Sequence, residues 1–211
     1  YEAKLREPLR FGYRGFTVET MPPPSMGGVA IAQTLLTLER VGAHEAKAGS
    51  AAAIHLFVEA AKRSYAERRL VGADPDYYPE GTPPDAVTRL LSTAHLLTER
   101  APIDPEHATP ADKIAAIPEG YEESPETTHF SVVDAEGNAV SCTVTQSAGY
   151  GSKIVIPGTG IVMSNALGAF SETGVNAVQP GKRMASSMAP TLLSRDGQVE
   201  LVLGSPGGDT I

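Results

Sequence analysis

The stretch Thr127-Thr-His-Phe-Ser-Val-Val-Asp134, Ala135-Glu-Gly137, Asn138-Ala-Val-Ser-Cys-Thr-Val-Thr145 alternates side-chain character on both sides of a glycine-containing turn. Thr128, Phe130 and Val132 alternate with Thr127, His129, Ser131 and Val133, and Ala139, Ser141, Thr143 and Thr145 alternate with Val140, Cys142 and Val144. A period of two is the signature of a strand. Ala135-Glu-Gly137 is a three-residue hairpin loop with glycine where φ must be positive. If Asp134 pairs with Asn138, residue 133 faces 139, 131 faces 141, 129 faces 143 and 127 faces 145. Directly opposed side chains share a face about 5 Å apart. Thr127 and Thr145 are therefore expected side by side at the open end of the hairpin, and a one-residue slip would separate them. The face made by Thr127, His129, Ser131, Ser141, Thr143 and Thr145 is polar, as a hairpin edge turned to solvent would be.

Upstream the texture changes. Pro118 to Glu126 is acidic and turn-rich, which predicts an exposed loop. Before it the apolar residues recur at helical spacing. Val29, Ile31, Leu35, Leu36 and Leu38 form one stripe ending near Gly42. Ile54, Phe57, Val58, Ala61 and Tyr65 form a second, closing at Gly72 after the basic last turn Arg68-Arg69, which suits the helix dipole. Asp85 to Arg100 is a third candidate, with Val87, Leu90, Leu91 and Leu97 on its apolar side, and Ala111 to Ile117 a short fourth. Met21-Pro-Pro-Pro-Ser25 is a stiff extended lead-in to the first helix. Residues 1–126 thus read as mostly helical and end in a loop, while residues 127–211 read as strands and turns. The fold class expected is α+β.

A chain of 211 residues with 41% apolar and 20% charged residues can bury a real core. The net charge of −8 argues against nucleic acid or anionic lipid as a partner. A lone cysteine, Cys142, excludes an intrachain disulfide and a Cys-based zinc site, and its place in an apolar strand pattern predicts a buried structural thiol. His44, His55, His95 and His107 are scattered without zinc spacing, and His129 has no Asp partner nearby in sequence, so it reads as structural. Asp112-Lys113 and Glu122-Glu123 read as solvated charge. No apolar run approaches the ~18 residues of a membrane span. Both ends look like cuts in a longer protein.

Several short motifs occur in an order that resembles one family. Thr127-Thr-His-Phe-Ser-Val-Val-Asp134 with Gly137-Asn-Ala-Val140 and Thr145 resembles the start of the small subunit of γ-glutamyltransferases. Tyr13-Arg-Gly15 and Met21-Pro-Pro-Pro-Ser-Met-Gly-Gly28 resemble the large subunit. Lys182-Arg183, Ser186-Ser-Met188, Pro190-Thr191 and Gly204-Ser-Pro-Gly-Gly208 match later family motifs, so the resemblance runs over nearly the whole chain. It implies an N-terminal-nucleophile hydrolase with an αββα sandwich left incomplete at residue 211. It also implies division into a large-subunit part, 1–126, and the start of the catalytic small subunit, 127–211. The cleavage site would be Glu126–Thr127, made by the chain itself, with Thr127 as nucleophile. Thr145 would orient it, and the N–H groups of Gly207 and Gly208 would form the oxyanion hole. Ser186 and Ser187 would hold the substrate α-carboxylate, with Ser147 and Asn165 also at the substrate. The implied substrate is a small γ-glutamyl compound such as glutathione, and the implied partners are the remaining parts of both subunits. The resemblance implies no metal and no organic cofactor, and points to a periplasmic or extracellular setting.

Elementary chemistry explains why such a threonine would be special. A hydroxyl is a poor nucleophile without a base beside it. Cutting before Thr127 would free an α-amine with a pKa of about 7.7–8.0, within reach of its own Oγ1. Read without the resemblance, each word has an ordinary alternative. Thr127 would begin a strand, Thr145 would make a cross-strand pair, Ser-Pro-Gly-Gly would be a tight turn, and Ser186-Ser187 a cap or loop.

This sequence departs from the family where the substrate's α-amino group is held. Ser164-Asn-Ala-Leu-Gly-Ala-Phe170 puts Ala166 and Ala169 where the family has an amide or acid and an aspartate. Alanine cannot pair with an ammonium, and losing a charge-assisted hydrogen bond costs about 1.5–3 kcal/mol. The family's asparagine is Ser147 here, the stretch between Phe170 and Lys182 is short for a lid, and the family's carboxylate-clamping arginine falls upstream. The expected activity is γ-glutamyl transfer to water or amino acids. The alternatives are an amidase resembling cephalosporin or glutaryl acylases, and a non-catalytic relative.

Overall fold

The computed structural model describes residues 2–80, 85–99, 102–114 and 126–208. Two antiparallel sheets and a group of helices make an α+β architecture. Strands β1 (Leu9–Tyr13) and β2 (Phe16–Thr20) form a hairpin at the start of the chain, which the helical reading of the first half missed. Helices α1 (Gly27–Arg40) and α2 (Ala51–Glu67) follow, then a short α3 (Ala86–Leu90). Next come the hairpin β3 (Thr127–Val133) and β4 (Ala139–Thr145), and a second hairpin of β5 (Thr191–Arg195) and β6 (Gln198–Leu203). The larger sheet has the order β1-β2-β5-β6, so β2 from the start of the chain pairs with β5 from near its end.

Helix α1 lies against the core formed by Val29, Val71 and Leu90, edged by Leu9, Ala86 and Val87. Its start approaches other backbone too closely for any side chain. A Cβ on Gly27 would lie 2.2 Å from the Ser187 carbonyl oxygen, and one on Gly28 would lie 2.0 Å from that of Met21. The Met-Gly-Gly motif is thereby explained by packing.

Helix α2 encloses the expected stripe, is N-capped by Ser50 and closes through a 3₁₀ turn at Arg68–Val71 before Gly72, but its expected apolar side is wrong. Ile54, Phe57, Val58 and Tyr65 are exposed, while Glu59, Ala60, Arg63 and Ser64 are buried. The buried face is polar because an irregular segment lies on it, and irregular backbone needs partners. Arg63 donates to the Pro102 carbonyl at 2.6 Å and to Thr109 Oγ1 at 3.0 Å, and Lys62 donates to the Thr109 carbonyl at 2.6 Å. Glu59 pairs with both cations and accepts from Thr109 N at 3.2 Å. Burial alone would push the Glu59 carboxyl up. Hydrogen bonds from Lys62, Arg63 and Thr109 outweigh that effect and hold it at about 2.

The third expected helix is broken. After α3 the chain turns and resumes as a π-type turn at His95–Glu99, which puts Leu96 rather than Leu97 into the core. The fourth is a single 3₁₀ turn at Ala111–Lys113, and its expected end at Ile117 lies outside the described residues, as does most of the acidic loop before Glu126. Among the described residues no helix is long and apolar enough to cross a membrane.

Candidate functional site

The β3–β4 hairpin has the register expected from its pattern. Thr127 opposes Thr145, His129 opposes Thr143, Ser131 opposes Ser141, and Asp134 N donates to the Asn138 carbonyl at 3.0 Å. Its polar face, however, is not the one turned to solvent. Ser131 Oγ and Ser141 Oγ donate to the carbonyls of Val202 and Leu203 in β6, at 3.2 and 2.6 Å. Hydroxyls on the hairpin thus serve backbone acceptors on β6. The opposite face, with Phe130, Val132, Val140 and Val144, is the exposed one, and Cys142 on it is half-buried rather than buried.

His129 belongs to that packing. Its Nδ1 lies 2.8 Å from Thr143 Oγ1 and its Nε2 lies 3.1 Å from Ser131 Oγ. The ring occupies the space beside Gly204, where a Cβ would come within 2.1 Å of it. Gly204 is therefore a glycine because His129 lies on it, and His129 ties β3 to the loop after β6.

At the open end of the hairpin, three hydroxyl and backbone groups converge on the 126/127 peptide. Thr127 Oγ1 donates to Thr145 Oγ1 at 3.2 Å. Thr145 Oγ1 donates to the Glu126 carbonyl oxygen at 3.0 Å and accepts from Ser147 N at 3.0 Å. One donor and two acceptor positions use the full capacity of a hydroxyl. The carbonyl that Thr145 polarises is the one immediately before Thr127, which is the acceptor a nucleophilic Thr127 hydroxyl would attack in an uncut chain. Ser147 reaches its position with φ +68°, a left-handed conformation that asparagine tolerates better than serine.

The other candidate residues are held by contacts of their own. Asn165 N donates to the Gln146 carbonyl at 2.9 Å, fixing Asn165 to the residue between Thr145 and Ser147, while its side chain is exposed. Gly207 and Gly208 follow the His129 contact at Gly204, with φ +133° and +61°. Ser186 is bracketed by α1's entry: its N–H donates to the Pro24 carbonyl at 3.1 Å and its carbonyl accepts from Met26 N at 2.7 Å. The Ser186 hydroxyl accepts from Met188 N at 3.1 Å. Ser187 is fully buried and its hydroxyl has no hydrogen-bond partner among the described residues.

The segment 166–170 is a wall between two cavities. Ala166, Leu167 and Phe170 line one of about 450 Å³ together with Ser186, Lys182 and Arg183, whereas Ala169 lines another of about 270 Å³ with Arg69 and Asn176. The two alanines at the expected amine-holding positions therefore face different cavities. Among the described residues no three His, Cys, Asp or Glu side chains gather as a metal site.

One residue escaped the sequence reading. Asp74 is completely buried and accepts hydrogen bonds from Arg6, Asp76 and Arg183. Its neighbour Asp76 is held at about 2 by hydrogen bonds from Arg6 and Lys4. Tyr78 is pushed up to about 12, first by burial and then by the nearby Asp74 charge. The signal available was Asp74-Pro75-Asp76, an N-cap residue followed by proline at the first position of a turn.

A family model described as gamma-glutamyltranspeptidase matches residues 1–211. The glutathione hydrolase proenzyme of Pseudomonas aeruginosa is 40% identical over 225 residues, covering 100% of this chain and 39% of that protein. An acylase ACY 1 proenzyme of Pseudomonas sp. strain SE83 is 38% identical over 209 residues, covering 98% of this chain and 36% of that protein. The chain thus spans under two fifths of the length of either relative. The crystal structure of a cephalosporin acylase from Bacillus halodurans superimposes with a TM-score of 0.68 at 24% identity, over 96% of this chain and 34% of that one, which establishes likeness of fold.

Proposed function

The chain belongs to the gamma-glutamyltranspeptidase family, and from that premise we propose that it carries the self-cleavage site and catalytic threonine of an autoprocessing acyltransferase or hydrolase. The observation that carries this reading is the hydrogen-bonded run from Thr127 Oγ1 through Thr145 Oγ1 to the Glu126 carbonyl. In the precursor, Thr127 Oγ1 attacks the Glu126 carbonyl carbon while the Thr145 hydroxyl supports the developing oxyanion. The Oγ1 proton passes to the nitrogen as the C–N bond breaks, so the nitrogen becomes the α-amine of Thr127 and Glu126 is left as an ester on Oγ1. Water hydrolyses that ester and leaves the Glu126 carboxylate and a free Thr127 hydroxyl.

The new α-amine then serves as base. It takes the Oγ1 proton, Oγ1 attacks the acyl carbonyl of an amide substrate, and the proton passes to the leaving amine. An acyl-Thr127 ester remains, to be resolved by water or by an amino acid. In this reading residues 1–126 end the large subunit and 127–211 begin the small one, within an αββα sandwich that other parts of both subunits complete. Gly207 and Gly208 supply oxyanion N–H groups, and Ser186, which lines the cavity beside Ala166, takes the substrate carboxylate together with Ser187, whose buried hydroxyl has no hydrogen-bond partner among the described residues; Ser147 and Asn165 belong to the same substrate site. The substrate class is γ-glutamyl amides such as glutathione, and no cofactor takes part.

A second reading of the same site is favoured by Ala166 and Ala169, neither of which can grip an ammonium. It is an amidase whose acyl group keeps the carboxylate and lacks the α-amine. The cavity beside Ala166 suits it, with apolar walls at Leu167, Phe170, Met184 and Met188 and the lysines Lys4 and Lys182 in its lining. Steady-state turnover of γ-glutamyl-p-nitroanilide and glutaryl-p-nitroanilide by the full-length protein separates the two. Preference for the first supports γ-glutamyl transfer, and preference for the second supports the acylase. Turnover of neither by a processed enzyme would remove both.

A further inference from the structure

The Asp74 carboxylate joins three separate stretches of chain. Oδ1 accepts from Arg6 Nη2 at 3.0 Å and Asp76 N at 3.2 Å. Oδ2 accepts from Arg183 N at 2.9 Å and Arg183 Nη1 at 3.3 Å. Four donors fill the acceptor positions of one carboxylate. A charge buried to this depth is tolerated only when all its donors are in place, so each stretch depends on the other two. Arg183 is held further through Asp76 at 3.8 Å and the Glu2 carbonyl.

Arg183 opens the segment that carries Ser186 and Ser187. The far half of that segment is tied to the entry of α1, through Pro24, Met26 and the bond from Ser25 Oγ to the Met188 carbonyl at 2.7 Å. The near half is tied by Asp74 at Arg183 and by Asn176, whose Oδ1 accepts from Ala185 N at 2.9 Å. Because Asp74 takes both the main-chain and the side-chain donor of Arg183, it fixes the path of the backbone and does more than neutralise a charge. Asp74 lies before the 126/127 peptide and Arg183 after it.

We propose that Asp74 is a positioning residue: from before the cut, it sets the conformation of residues 182–188 after the cut, and through them the serine hydroxyls that meet the substrate carboxylate. The inference rests on the proposed reading for the role of Ser186 and Ser187, and extends it to a residue that touches no substrate. The link also holds the two pieces in register once the chain is severed.

The test uses full-length protein carrying Asp74→Asn, Arg183→Met, or both. Asn keeps the size of Asp but loses the charge and one acceptor. The expected result in Asp74→Asn is a KM raised about tenfold or more for both carboxylate-bearing anilides, with kcat and the 126/127 cut within about threefold of wild type. Amide hydrogen exchange in 182–188 rises about tenfold while α1 is unchanged, and the double variant is within about twofold of Asp74→Asn because both changes break one link. Unchanged KM with unchanged exchange in 182–188 overturns the inference. Exchange rising equally in α1 overturns it too, since Asp74 would then be a general stabiliser. If Asp74→Asn does not fold, Arg183→Met gives the same two readouts in the same direction. A wild-type enzyme that neither cuts itself nor turns over either anilide sinks the reading of the site, and the exchange measurement still decides the Asp74 link separately.

Discussion

Replacing Thr145 with valine keeps the shape of the side chain and deletes the hydroxyl that bridges Thr127 Oγ1 and the Glu126 carbonyl, the proposed nucleophile and scissile carbonyl. Three hydrogen bonds go with it: to the Glu126 carbonyl at 3.0 Å, from Thr127 Oγ1 at 3.2 Å and from Ser147 N at 3.0 Å. Removing one donor from a carbonyl where negative charge develops slows acyl transfer by about 10²–10³. Thr127 and Thr145 are half-exposed, so water partly substitutes and the lower end applies. The self-cleavage barrier should rise by about 2.7 kcal/mol, a slowing of about 10². Stability should fall by only about 1 kcal/mol for the lost bond from Ser147 N, since valine suits a strand. The two effects are therefore separable. Uncut full-length protein would be isolated and its conversion to two pieces followed by intact mass, beside a thermal melt. Thr145→Ser, which keeps the hydroxyl, should process within about tenfold of wild type. Cleavage of Thr145→Val at the wild-type rate would refute the reasoning. So would equal slowing in the valine and serine variants, because the methyl group and not the hydroxyl would then matter.

Two further predictions concern a strained residue and a buried one. Ser147→Asn should raise the melting temperature through about 0.5–1 kcal/mol of relieved left-handed strain. It should also shift kcat/KM toward γ-glutamyl over glutaryl anilide by lengthening the reach toward an ammonium, and no change in either quantity contradicts the account. The Glu59 carboxyl, lowered from 4.5 to about 2 in the fold, stabilises it fully above pH 4.5, and that contribution is lost as pH falls toward 2. Glu59→Gln should lower stability at neutral pH by about 3 kcal/mol, by removing the buried carboxylate that pairs with Lys62 and Arg63, and should flatten the acid limb between those values. Melting temperature against pH for both proteins checks this, and an unaltered acid limb in the variant would count against the pair.

The hairpin was legible because its information is local. A period of two, a three-residue turn and one glycine determine which side chains oppose each other, and Thr127 against Thr145 followed from those alone. Helices α1 and α2 were legible for the same reason, through a helical period and a closing glycine, although that period put the buried side of α2 in the wrong place. What failed was anything decided by contacts between distant residues. The buried face of α2 is polar because Pro102–Thr109 lies on it, and nothing near Glu59 in sequence announces that. The β1–β2 hairpin belongs to a sheet completed by β5, about 170 residues later. The polar face of β3–β4 reads as solvent-facing until β6 supplies carbonyls for its serines. The burial of Asp74 is hidden for the same reason: Asp74-Pro75-Asp76 shows a turn start, but the donors at Arg6 and Arg183 meet it only in the fold. His129, read as structural from its lack of an Asp partner, has its neighbours in Thr143, Ser131 and Gly204, and among the described residues none of its hydrogen bonds reaches Thr127.

The most direct measurement is the mass and first residue of the smaller piece of full-length enzyme, acid-quenched during turnover of whichever anilide it prefers. A piece that begins at Thr127 and carries one acyl group on that residue is the predicted outcome. An acyl group on another side chain, a new chain start elsewhere, or an unsevered protein that still hydrolyses the anilide would contradict it.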